Sequence, residues 1–126
     1  MRLLVDTHVV IWATIEPERL SARARDLIKD PANELVVSAV SAYEIEFKRE
    51  RDPVIGRTPL DLERGLTGLG FIWLPVTATH AAAAGRLPRR HGDRFDRILV
   101  AQAVAEGMPL LSADRRLPAY DVEVIW

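Results

Sequence analysis

The sequence contains no cysteine. Disulfides, thiolate metal sites and cysteine nucleophiles are excluded in one step. Lysine is nearly as scarce: of seventeen basic residues only Lys29 and Lys48 are lysine. The arginine bias suits phosphate forks, but genomic base composition produces it as well. Neither sign of charge is in excess. A net charge of −1 gives no global basic field to draw nucleic acid or an anionic membrane. No apolar run approaches the length of a membrane span, so no membrane partner is expected. The opening MRLLVD lacks a charged stretch followed by a long apolar one; no signal peptide is expected, and a cytoplasmic location is. HExxH, a Gly-rich phosphate loop and GxSxG are all missing. So are internal repeats and low-complexity tracts.

What is present is enough apolar residue, 48% of 126, to fill one real core, and the reading is one domain over residues 1–126. Short apolar runs at RLLVD (2–6), ELVVS (34–38), FIWLPV (71–76), PLLSAD (109–114) and VEVIW (122–126) predict strands. Between them lie helical patterns. THVVIWATI (7–15) favours a short helix, and Ser21 caps a second that Pro31 stops. A third runs from Ala39 with Val40, Tyr43 and Phe47 along one stripe, ending at Asp52-Pro53. Residues 53–58 read as a loop, and Pro59 to Gly70 as a helix with Pro at its start and Gly at its end. An Ala-rich helix is capped by Thr77 or Thr79. After the loop PRRHG, the helix in HGDRFDRILVAQAVAEG (91–107) opens at Asp93 and Asp96 and stops at Gly107, with Phe95, Ile98, Leu99 and Val104 as its core anchors. Alternating strand and helix, with strands that are continuous apolar runs, predicts an α/β domain with a mainly parallel central sheet.

In such sheets ligands bind beyond the carboxyl ends of the strands. Strand one ends in Asp6 and strand four in Ser112-Ala113-Asp114. Asp93 and Asp96 open the helix leading into strand four, and Glu44 lies early in the helix after strand two. Five acids can therefore converge on one sheet edge. Each also has an ordinary structural role open to it. Asp6 fits a helix cap, and Asp114 a cap for the turn RRLPAY. Asp93 and Asp96 suit the first turn of a helix dipole. Ser41 and Glu44 have capping-box spacing, although a helix starting near Ser38 frees Glu44. Taken together, crowded carboxylates repel, and a hard divalent cation removes that penalty. Mg²⁺ or Mn²⁺ held by oxygen ligands acidifies a water and steadies a departing oxygen, the chemistry of phosphodiester cleavage. The three histidines form no rival site. His8 and His80 fit packing or exposure, and His91, near Asp93, could touch a phosphate or orient a carboxylate.

Four segments in order, LLVDTHVVIW, VSAVSAYEIEFK, HGDRFDRILVAQA and PLLSADRRLPAY, resemble the PIN-domain family, and within it the VapC-type ribonuclease toxins of type II toxin–antitoxin pairs. The resemblance runs from Leu3 to Trp126. It implies a three-layer α/β/α fold and a Mg²⁺- or Mn²⁺-dependent endoribonuclease. The family's four acids fall on Asp6, Glu44, Asp96 and Asp114, which it makes both catalytic residues and metal ligands; no separate cofactor-binding residue is implied. Ser112 falls where a small hydroxyl residue helps hold the metal water, and Asp93 matches a supporting acid. The usual Asp-Pro-Phe-Asp here reads Asp93-Arg94-Phe95-Asp96, which leaves fine geometry in question, and residues 52–70 match no motif. The resemblance further implies an RNA substrate, a homodimer and a cognate antitoxin over the active-site face. Ile11, Trp12, Tyr43 and Phe47 are apolar candidates for the protein contacts, with ordinary core as their alternative. Arg89-Arg90 with Arg94, and Arg115-Arg116, are candidates for phosphate.

Competing functions fit less well. A phosphoryl receiver domain needs an acceptor Asp after strand three, where this chain has Leu74-Pro75-Val76, and a late Lys. An Asp-nucleophile phosphatase needs a second Asp where His8 stands. A PIN-like protein that binds RNA or a partner without cutting stays open. Which RNA is cut, whether one or two ions bind, and which antitoxin pairs with the chain are not legible in the letters.

Overall fold

Five short strands and six helices alternate along a computed structural model that describes residues 1–89 and 93–126. The strands are β1 (Arg2–Val5), β2 (Glu34–Ser38), β3 (Ile72–Leu74), β4 (Leu110–Leu111) and β5 (Val124–Ile125). All four pairings are parallel, and the order across the sheet is β3-β2-β1-β4-β5. The helices are α1 (Thr7–Ile15), α2 (Ala22–Lys29), α3 (Ala39–Lys48), α4 (Leu62–Gly68), α5 (Ala78–Arg86) and α6 (Arg94–Glu106).

Period-two alternation divides the core between the two faces. Leu3, Val5, Val37 and Leu111 point to one face, where Val9, Val10, Ala24 and Leu66 bring in α1, α2 and α4. Leu4, Val36 and Leu110 point to the other, against Val40 of α3 and Leu99, Val100 and Ala103 of α6. This is the three-layer α/β/α arrangement. Among the described residues no helix is long and apolar enough to cross a membrane.

Local chemistry sets the element ends. Ser21 accepts the amide of Ala24 at the start of α2. Thr77, not Thr79, caps α5, and its capping box is closed by the imidazole of His80. Gly107 sits in the left-handed region at φ +64°, which a side chain resists, and α6 ends there. Three details differ from the sequence reading. The fourth helix starts at Leu62, not Pro59, because the Asp61 carboxylate accepts the amide of Arg64. The 53–58 loop contains a 3₁₀ turn, Ile55–Arg57, that buries Ile55. Val104 is 55% exposed and is no anchor of α6. The inward face of that helix runs through Asp96, Leu99, Val100 and Ala103.

Candidate active site

The chain runs from β1 outward to β2 and β3, then returns to add β4 on the other side of β1. The reversal opens a crevice beyond the carboxyl ends of β1 and β4, the place where parallel sheets bind ligands. A cleft of about 200 Å³ lies there, lined by Asp6, Glu44, Asp93, Asp96 and Asp114 together with His8, Lys48 and Arg116. Ile11, Ile45 and Ile55 form its apolar floor.

Asp6 is the first residue past β1 and caps α1, accepting the amide of Thr7 at 2.7 Å. Its other oxygen accepts the hydroxyl of Ser112 at 2.6 Å, and Ser112 Oγ in turn accepts the amide of Asp114 at 3.0 Å. Cap and site residue are thus the same side chain. Burial pushes the Asp6 carboxyl up from 3.8 to about 6; the bonds from Ser112 and Thr7 oppose this, and the charges of Glu44 and Asp114 add to it.

Glu44 is buried because α3 starts at Ser38, whose hydroxyl accepts the amide of Val40. Ser41 is therefore no cap. Its hydroxyl bonds that of Thr7 at 2.8 Å and ties α3 to the start of α1. The buried face of α3 carries Val40, Ser41, Glu44 and Ile45. The apolar stripe read through Tyr43 and Phe47 is wrong in its outcome, since both rings point to solvent. Glu44 Oε2 accepts Lys48 Nζ at 2.6 Å, while its buried Oε1 has no partner among the described residues. Burial works against the Lys48 ammonium, but the bond to Glu44 and the neighbouring acids outweigh it and raise its pKa.

Asp93 accepts the amide of Asp96 at 3.1 Å, which makes it the cap of α6, and it also lines the cleft. Asp96 is buried in the first turn. Arg116 holds Asp114 through Nε at 3.0 Å and a terminal nitrogen at 2.8 Å, and reaches Asp96 at 3.8 Å. The paired carboxylate raises the already high guanidinium pKa. Ala113 donates its amide to His8 Nε2 at 3.2 Å, so Nδ1 carries the ring proton and faces Asp6 Oδ2 at 3.5 Å. Burial holds the His8 imidazole below its usual value against the pull of Asp96, Asp114 and Glu44.

The structure thus brings Asp6, Glu44, Asp96, Asp114 and Ser112 to one edge. Sequence reasoning named Arg116 as a phosphate candidate and set His8 aside as packed or exposed, and it did not find Lys48 or the Thr7–Ser41 bond. The i,i+4 spacing of Glu44 and Lys48 was the one signal that could have found a member of this group. His80 lies elsewhere, buried against Glu106 and Gln102. His91 and Arg90 fall outside the described residues. Of the apolar contact candidates, Ile11 is core and Trp12 half-buried, while Tyr43 and Phe47 are exposed.

The donor set suits a hard divalent ion: carboxylate oxygens only, one of them a buried oxygen of Glu44 left without a partner, and a neighbouring carboxyl that burial and like charge drive toward neutrality. As the side chains stand, no three acid or imidazole groups among the described residues are gathered closely enough to ligate one ion. Lys48 and Arg116 take up carboxylate oxygens instead.

Comparison with known proteins agrees with the fold. The chain is 33% identical to "Ribonuclease VapC22" of Mycobacterium tuberculosis (strain ATCC 25618 / H37Rv) over 129 residues, 94% of this chain and 91% of that protein. Its backbone matches a chain of VapBC2 from Rickettsia felis bound to a promoter DNA fragment, with a TM-score of 0.69 at 14% identity, covering 99% of this chain and 98% of that one. A chain of DNA-bound VapBC from Salmonella typhimurium gives 0.68 at 15% identity, covering 99% and 97%. The model of the PIN domain matches residues 3–123. Nearly the whole chain is accounted for in this way, and it belongs to the PIN-domain family.

Proposed function

We propose that this chain is a VapC-type ribonuclease, the toxin of a VapBC toxin–antitoxin pair, and that residues 1–126 work as one catalytic domain. The observation that carries the reading is the convergence of Asp6, Glu44, Asp96 and Asp114 on one cleft at the β1/β4 reversal. The one-third identity to a VapC ribonuclease supports it.

Asp6, Glu44, Asp96 and Asp114 would hold Mg²⁺ or Mn²⁺. When bound, the ion supplies Lewis acidity, acidifying a water and neutralising charge on the departing oxygen of the phosphodiester. The chain's own residues set the stage. Thr7 and Ser112 hold the Asp6 carboxylate by both oxygens, so its orientation is fixed before any ligand arrives. Ser112 couples that carboxylate to the backbone of Asp114, and His8 fixes the intervening Ala113. Lys48 and Arg116 offset the crowded negative charge and are placed to meet an RNA phosphate. A cognate antitoxin is its protein partner, a reading supported by likeness to chains found in VapBC assemblies, and a second copy of the chain is a further partner on the family resemblance alone.

A second reading, RNA or partner binding without cleavage, is favoured by one observation: Lys48 and Arg116 already neutralise Glu44 and Asp114. A cleavage assay on total RNA with Mn²⁺, with EDTA, and with Asp6→Asn and Asp96→Asn separates the two. Cleavage that survives EDTA or both substitutions would move the chemistry elsewhere. RNA binding with no cleavage under any metal would favour the second reading.

A further inference from the structure

Tyr43 is 61% exposed and Phe47 57% exposed, the two largest aromatic surfaces that α3 offers to solvent. Exposed aromatics side by side are more informative than exposed aliphatics scattered singly. Here they are ordered. One helical turn apart, the two rings lie 13° from parallel with centroids 6.1 Å apart. Phe95, at the opening of α6, flanks the pair with its ring 5.7 Å from that of Tyr43 and tilted 44° to it, its other side packed partly against the core. The core does not require Tyr43 and Phe47 there, since α3 buries a different face, through Val40 and Ile45.

Cations accompany the row. Arg51 stands 5.9 Å from the Phe47 ring and Lys48 Nζ 5.9 Å from the Phe95 ring. Lys48 also lines the acid cleft and bonds Glu44, so the row and the cleft share a wall. Glu46, the exposed one of the two acids between the rings in sequence, is tied to Arg49 at 2.8 Å. Aromatics and arginine are also enriched at protein interfaces, but lysine is depleted there, and here a lysine stands at the rings. Near-parallel rings flanked by Lys and Arg are instead the arrangement on which single-stranded nucleic acid lies, its bases on the rings and its phosphates against the cations.

We propose that Tyr43, Phe47 and Phe95 form a base-stacking ridge that holds unpaired bases of an RNA strand beside the phosphate positioned in the acid cleft. The proposal rests on the nuclease reading above and adds to it the residues outside the acid cleft that hold the strand. The ridge reads no particular base, because every base has a π face. It rejects a continuous duplex, whose bases are already stacked on one another.

The test uses the full chain carrying Asp6→Asn, which silences cleavage, and a labelled single-stranded RNA followed by fluorescence anisotropy. Tyr43→Ala and Phe47→Ala each weaken binding by about tenfold, and Tyr43→Phe binds within about twofold of the parent. Tyr43→Ala leaves the salt dependence unchanged, because stacking releases no counterions, whereas Arg51→Gln flattens it. RNA carrying 2-aminopurine is quenched on the parent and not on Tyr43→Ala. Melting temperatures close to the parent's show that the variants are folded. Unchanged RNA affinity in both alanine variants overturns the ridge and leaves the nuclease reading intact. RNA affinity retained while binding to a protein partner is lost also overturns it, assigning the rings to that partner. Failure of the parent to bind RNA at all overturns the ridge and the nuclease reading together.

Discussion

Replacing Asp6 with Asn should stabilise the metal-free protein while removing its proposed activity. The buried Asp6 carboxyl has a pKa near 6 in the folded chain, against 3.8 for the ordinary side chain. The folded state therefore holds the proton more tightly than the unfolded state does, and stability falls as pH rises from about 4 to about 6, then levels off. Linkage over that interval amounts to about 3 kcal/mol at pH 7.5, roughly half of that near pH 5 and little at pH 4. Asn keeps the shape and an oxygen for the Thr7 amide, and the Ser112 hydroxyl can turn to accept from its amide. Imperfect bonding returns roughly 1 kcal/mol of the gain. At several degrees per kcal/mol for a domain of this size, Asp6→Asn in EDTA should melt roughly 5–10 °C higher at pH 7.5. The difference should shrink steadily toward pH 4. The assay is thermal denaturation of both proteins in EDTA across that range, repeated with millimolar Mn²⁺. The ion should raise the melting temperature of the parent and not of the variant, since it binds only the native parent. A variant less stable than the parent at pH 7.5, or a difference that ignores pH, would refute the claim that Asp6 carries an unrelieved buried charge.

Three further outcomes follow from the same geometry. Ser112→Ala strips a hydroxyl from Asp6 and from the Asp114 amide, and should cost about 1–3 kcal/mol in denaturant unfolding. Because that bond lowers the Asp6 pKa, its loss should also shift Mn²⁺ stabilisation to higher pH. Arg116→Ala removes the guanidinium competing for Asp114 and should tighten Mn²⁺ binding by calorimetry with little change in melting temperature, the side chain being 61% exposed. Leu99→Ala opens a cavity at a fully buried position of α6, and urea titration should show a loss of about 2–5 kcal/mol.

The order of strands and helices was legible because each signal was local. Continuous apolar runs marked strands covered on both faces, and caps such as Ser21, Thr77 and Gly107 are residues whose chemistry acts within one turn. The acid edge was legible through topology, since residues that follow parallel strands fall on one side of the sheet. Two kinds of information were not. The face of a helix that turns inward depends on what it meets: α3 shows aromatics to water and buries Glu44, the reverse of a reading by hydrophobicity, because the cleft needs the acid there. The partners of the acids are also settled across large sequence distances. Arg116, Lys48 and His8 looked like a loop cation open to phosphate, a helix cation and a packed or exposed ring, and only the fold places them around one cleft.

The bond between Ser112 and Asp6 joins residues 106 positions apart, and β1 lies between β2 and β4 in the sheet. A growing chain that has not yet reached β4 has neither the hydroxyl that steadies Asp6 nor the backbone that carries Asp114. The acid cleft thus forms only after β4 has joined the sheet beside β1.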